Sequence, residues 1–151
     1  MAILLRYGLI AVLAAAVSLG IATTSEARSI PAFFGQPQAP SDYPCFTNSG
    51  GAVFNSCGIT KRFCIALPYA GRSIHTVQIN VLAPDIDHNI SCFAQGVTRD
   101  HQPAATTGFL SPTMFGVSQT LSFPQTIYPA AGGLYACCDV APSASIQSLN
   151  W

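Results

Sequence analysis

Charge is nearly missing from this sequence. Of its six lysines and arginines and six acidic residues, Arg6 and Glu26 precede position 28. That leaves Arg28, Lys61, Arg62, Arg72 and Arg99 against Asp42, Asp85, Asp87, Asp100 and Asp139, a net charge of zero. Nucleic-acid binding needs clustered cations to displace counterions from phosphates. Only Lys61 and Arg62 are adjacent, so that function is excluded, and a polybasic membrane patch with it. Site motifs are missing too. There is no G-x-S-x-G elbow, Gly-rich phosphate loop or C-x-x-C-H haem attachment. No histidine or cysteine pair has zinc-ligand spacing such as H-x3-H or C-x2-C. The sequence thus predicts no enzyme, no cofactor and no metal. A sustained 3.6-residue apolar period is absent after residue 27, which excludes a helical bundle. The long apolar run is Gly8–Ala22, fifteen residues, short of the roughly 20 a spanning helix needs.

That run has the parts of a secretory signal: Arg6 before it, and after it a polar stretch ending in the small-x-small pattern Ser25-x-Ala27. Residues 1–27 read as a signal peptide cleaved after Ala27, giving a secreted or periplasmic chain without a membrane span. Its 124 remaining residues suit one domain. All six cysteines (Cys45, Cys57, Cys64, Cys92, Cys137 and Cys138) lie in that part. An even number in an exported chain reads as disulfides.

Residues 28–44 hold Pro31, Pro37, Pro40 and Pro44, and read as a proline-rich extended arm. The domain proper is residues 45–151, where the signal is period two. His75, Val77, Ile79 and Val81 alternate with Thr76, Gln78 and Asn80. Phe63, Ile65 and Leu67 alternate with Arg62, Cys64 and Ala66. Val117, Leu121 and Phe123 alternate with Ser118, Thr120 and Ser122. Strict alternation marks strands with one buried face. Weaker strands are expected over Ala52–Asn55, Ile90–Val97, Leu134–Val140 and Ser145–Trp151, with Gly, Pro, Asn and Asp in the breaks. The predicted fold is all-β: an antiparallel, disulfide-stapled β-sandwich of about seven or eight short strands. Trp151 and Leu149 also suit the last strand of an outer-membrane barrel, but six cysteines and proline-interrupted strands weigh against one.

The segments Cys45…Val53-Phe54-Asn55…Cys64-Ile65-Ala66-Leu67-Pro68, Val77-x-Ile79-x-Val81, Ser91-Cys92 and Gly133-Leu134-Tyr135-Ala136-Cys137…Pro142…Ser145-Ile146-Gln147-Ser148 resemble a loose group of small exported proteins of Gram-negative bacteria. The resemblance implies a β-sandwich outside the cytoplasm and no established activity. Cys57 and Cys138 depart from the group's pattern.

Sharper chemistry fails on spacing. Asp85-Ile86-Asp87-His88-Asn89 starts like a calcium loop, but Ile90 and Gly96 stand where that loop needs glycine and glutamate. It reads as a polar turn. His75, His88 and His101 lack partners at ligand spacing. A Cys–His nucleophile needs a free thiolate, which an even cysteine count argues against. The leading expectation is a non-catalytic exported module binding a protein or glycan, with loops Pro84–Asn89 and Thr98–Thr107 carrying recognition. The alternatives are a structural or assembly subunit using edge strands or the 28–44 arm, and an unrecognised hydrolase.

Cysteine pairing follows from facing. Cys137 and Cys138 are adjacent, with Cα atoms about 3.8 Å apart, closer than ordinary disulfides allow. Neighbouring strand residues face opposite ways, so Cys138 points to the core with Leu134, Ala136 and Val140. Cys92 shares its side with Ile90 and Ala94. Cys92–Cys138 is therefore expected, meeting across the core. Cys45–Cys64 would clip the arm, and Cys57–Cys137 follows by elimination.

Overall fold

The computed structural model describes residues 28–68, 74–100, 102–127 and 132–151. The expected signal segment 1–27, His101 and the side chain of His75 lie outside the described residues. Eleven strands are described: β1 (Ser29–Pro31), β2 (Gln36–Pro37), β3 (Phe46–Ser49), β4 (Ala52–Asn55), β5 (Lys61–Leu67), β6 (Ile74–Leu82), β7 (Ile90–Val97), β8 (Pro103–Thr106), β9 (Ser118–Ile127), β10 (Gly133–Val140) and β11 (Ser145–Asn150). They make two antiparallel sheets. The first runs β3-β4-β11-β6-β9, with β1 against the far half of β11; the second runs β2-β5-β10-β7-β8. The fold is an all-β sandwich. Its strand number exceeds seven or eight because β1, β2, β3 and β8 are only two to four residues long, too short for alternation to register.

Parity builds the core. Val77, Ile79 and Val81 of β6 face Phe63, Ile65 and Leu67 of β5 and Leu134, Ala136 and Val140 of β10 in one buried cluster. Each large side chain withdrawn from water contributes about 1.5–3 kcal/mol. Among the described residues strict alternation is broken in several places, two of which change the sequence reading. In β11 the inward residues Ile146 and Leu149 are three apart, and a register shift between Ile146 and Ser148 realigns them. A bulge inserts one residue and restores the facing. Val117, expected inside, precedes β9 and is 49% exposed. Trp151 is half-buried against the core, and its backbone pairs with Arg28 in both directions at 3.0 and 3.1 Å.

The proline-rich arm is built into its own domain. β1 pairs with β11 and β2 with β5, joined by 3-10 turns over Ala32–Phe34 and Pro40–Cys45. Proline suits such short edge pieces because it lacks the donor a central strand needs.

The disulfides correct two of the three expected pairings. Cys92–Cys138 is present, but not across the core: the two residues are directly opposite on neighbouring strands β7 and β10 of one sheet. Cys137 stands opposite Cys64 on β5, and these two are bonded, not Cys57–Cys137. Cys45 joins Cys57, not Cys64. The β3–β4 register puts Phe46 opposite Asn55, which carries Cys45 to the start of the 56–60 loop. The vicinal pair thus staples β10 to both neighbours, one bond on each face of the sheet.

Strand order gathers loops 56–60, 83–89, 107–117 and 141–144 at one end of the sandwich. Backbone bonds tie them: Asn55 to Ala144 and Ser143, Ala141 to Asn89, and Gly116 to Ala83.

Candidate functional site

On the flank where both sheets end in the strands nearest the proline-rich segment, that segment leaves a shallow groove of about 150 Å³. Its lining comes from three sources. The 3-10 turns supply Phe33 and Tyr43, β2 and its approach supply Gly35 and Pro37, and Phe46, Asn48 and Phe63 come from β3 and β5. Phe33 and Tyr43 are 41% and 54% exposed. Phe33 stacks on Phe34 at 4.4 Å, and Phe46 leans on Phe63 at 4.8 Å. The Tyr43 hydroxyl donates to Gln36 Oε1 at 3.3 Å. Among the described residues no charged one lines the groove. Asp42, next to Tyr43 in the chain, is neutralised by Lys61 at 2.7 Å.

The segment that carries these aromatics is anchored along its length. Ala32 is fully buried and Pro37 is buried. Gly35 N–H donates to Ala32 O, and Gln38 N–H to Arg62 O. Cys45 ends the segment in its bond to Cys57, and the Ser56 amide and hydroxyl both donate to Cys45 O. Gly35 is required by space: a Cβ there would lie 2.4 Å from Ile65 Cγ1 and 2.6 Å from Cys64 O.

The outer face of the second sheet holds a different arrangement. Arg62 makes two hydrogen bonds to Asp139, at 2.6 and 2.8 Å, and its guanidinium lies 5.3 Å over the Phe93 ring. Hydrogen bonding to the Asp139 carboxylate raises the Arg62 pKa above its ordinary value, against a smaller opposing effect of burial. Phe93 in turn packs on Phe109 at 4.8 Å. Arg62 and Asp139 satisfy each other here.

The loops singled out from the sequence are closed on themselves. In Pro84–Asn89 the Asp85 carboxylate accepts from the amides of Asp87 and His88 and faces His88 Nδ1 at 2.8 Å. The bonds from His88 hold its pKa below the usual carboxylate value. Among the described residues no three His, Cys, Asp or Glu side chains gather as a metal group would. Much of Thr98–Thr107 is a hairpin, with β8 paired to β7. The sequence singles out none of Tyr43, Phe46 and Asn48 as binding residues. Phe33, Phe34 and Tyr43 show in it only as aromatic residues crowded into a proline-rich run.

No family model matches the chain, and no curated protein matches it in sequence. Solved structures match in shape. The C-terminal CBM6 of LamC, a marine laminarinase from Zobellia galactanivorans, superposes with a TM-score of 0.52 at 10% identity, covering 82% of this chain and 97% of that one. A family 29 carbohydrate-binding module gives 0.49 at 8% identity over 83% and 75%. The C-terminal family 22 module of Clostridium thermocellum Xyn10B gives 0.45 at 11% over 83% and 82%. At this identity the first of these likenesses bears on the fold, a β-sandwich.

Proposed function

We propose that the protein is an exported, non-catalytic module that binds an uncharged glycan in the groove between Phe33, Tyr43 and Phe46. The observation that supports it most is the make-up of that groove: exposed aromatic rings, an amide and a hydroxyl, and no charge. Sugar rings present C–H faces of partial positive charge, which pack on the electron-rich faces of aromatic rings. Their hydroxyls bond to groups such as Asn48 and Gln36. Sites for small ligands are typically concave and largely apolar with a few placed polar groups. This groove is below the usual volume and open to solvent, which suits part of a polymer lying along the flank. The fold agrees with this reading, since the laminarinase module that shares it is described as carbohydrate-binding. Export rests on the signal pattern of residues 1–27 and on the three disulfides, which persist in oxidising compartments.

Affinity electrophoresis against neutral and anionic polysaccharides tests the proposal. At least one neutral polysaccharide should retard the protein, and anionic ones should not do so better. Tyr43→Ala should weaken binding by about tenfold or more, the loss of a hot-spot aromatic of about 2 kcal/mol. Phe109→Ala, whose parent ring is equally exposed at 55% on the β7 side, should change nothing. Equal loss in both variants, or no retardation by any neutral glycan, would remove the proposal.

Gly35→Ala tests the groove by its support. The added methyl meets backbone, so the segment must lift from β5. Overpacking of this kind destabilises by about 1–3 kcal/mol, and glycan retardation should disappear while the fold survives. A variant that binds as well as the parent would show that the seating of Phe33 is irrelevant.

A further inference from the structure

We propose that the free edge of β9 pairs antiparallel with the β9 edge of a second copy of this chain. The four sheet edges differ sharply. β2 has two residues, one of them Pro37; β3 has four; β8 has four and starts at Pro103. β9 has ten, Ser118–Ile127. Its first six residues run in unbroken register with Val77–Leu82 of β6, and the register shifts only beyond Phe123, at Pro124. Half of a strand's amides and carbonyls point away from its one neighbour. Among the described residues no backbone bond reaches Ser118–Phe123 from that side. The neighbouring loop 113–114 bonds to the Gln119 side chain instead, through Oε1.

Natural sheets blunt long edges with lysine, charge, proline or bulges. This stretch, Ser-Gln-Thr-Leu-Ser-Phe, carries none before Pro124. Ser118, Thr120 and Ser122 are exposed on the outer face, while Leu121 and Phe123 are buried. Pairing with itself about a two-fold axis through Thr120 sets threonine opposite threonine and opposes no like charges, which would be destabilising. No charge on the strand reads out a different, charged partner. The pairing would extend the first sheet across the dimer and keep its polar outer face continuous. The β2 and β3 flank, with its groove, lies at the other edge of each sandwich and stays open. A contact of one strand per copy falls at the small end of interface areas, so a weak, micromolar dimer is expected.

Light scattering behind size exclusion, on the exported protein from about 1 to 200 μM, tests this without any ligand and so independently of the glycan reading. The mass should rise toward twice that of the monomer. Thr120→Lys should hold it at the monomer value while still melting cooperatively, because two ammonium groups would face each other at the axis. Thr47→Lys, the same charge placed on exposed β3 at the opposite edge, should dimerise like the parent. A parent that stays monomeric throughout overturns the proposal. So does a Thr120→Lys dimer, or a Thr47→Lys variant that dissociates equally, since either places the contact elsewhere.

Discussion

Replacing Cys92 and Cys138 together by alanine is expected to destabilise the protein by about 4 kcal/mol. The bond closes a loop with a sequence separation of 46 residues, and on the chain-entropy account a loop of this length contributes about that much by restricting the unfolded chain. Net stabilities run at about 5–15 kcal/mol, so the variant should sit near the threshold of folding. Both sulfurs are buried, at 0% and 1% exposure, and the bond joins the middle strand β10 to β7 on the core side. Removing Cys64–Cys137, with a separation of 73, should cost about as much, whereas Cys45–Cys57, with a separation of 12, should cost about 3 kcal/mol. Urea unfolding of the three double variants measures this. A midpoint for the Cys92/Cys138 variant equal to the parent's would refute it. Under native conditions reductant should open Cys64–Cys137 and Cys45–Cys57, each with one partly exposed cysteine (Cys64 and Cys57), before the fully buried bond, because exchange needs access. Chelator should leave the melting temperature unchanged.

Asn55→Ala is expected to destabilise the protein by about 3 kcal/mol. Asn55 is 1% exposed. Its Nδ2 donates to Ile59 O at 2.9 Å and Val140 O at 2.7 Å, and its Oδ1 accepts from the Cys57 amide at 2.9 Å. The side chain thus holds the 56–60 loop against the end of β10. Truncation takes a partner from two carbonyls and an amide, and each buried group left without one costs about 1–3 kcal/mol. Asn55→Asp should be no milder at neutral pH, since it turns an oxygen toward two carbonyl oxygens where an N–H₂ had donated. Thermal melts decide it, and a loss below about 1 kcal/mol in the alanine variant would mean that water replaces the side chain. Because the same loop carries Cys57, a loosened 56–60 loop should also weaken whatever the Cys45 end of the groove holds.

Much of the sandwich was legible in the chain. The alternation in β5, β6 and β9 reports burial on one face because side chains on a strand alternate by geometry, a property each segment carries alone. The rule that Cys137 and Cys138 cannot bond each other comes from the length of one peptide unit. The near absence of charge and of ligand spacings limits the chemistry in the same local way. What the sequence could not decide is pairing. Which strand lies beside which, and in what register, is a matter between distant segments: Cys64 meets Cys137 only because β5 and β10 align at those residues. Facing alone could not tell a neighbour in the sheet from a partner across the core. The groove is of the same kind. Phe33, Tyr43 and Phe46 are ordinary aromatics beside prolines until β2 joins β5 and the Cys45–Cys57 bond closes the segment down. Local periodicity determined the class of fold, whereas non-local register, fixed only when both sheets pack, decided the disulfides, the free edge and the groove.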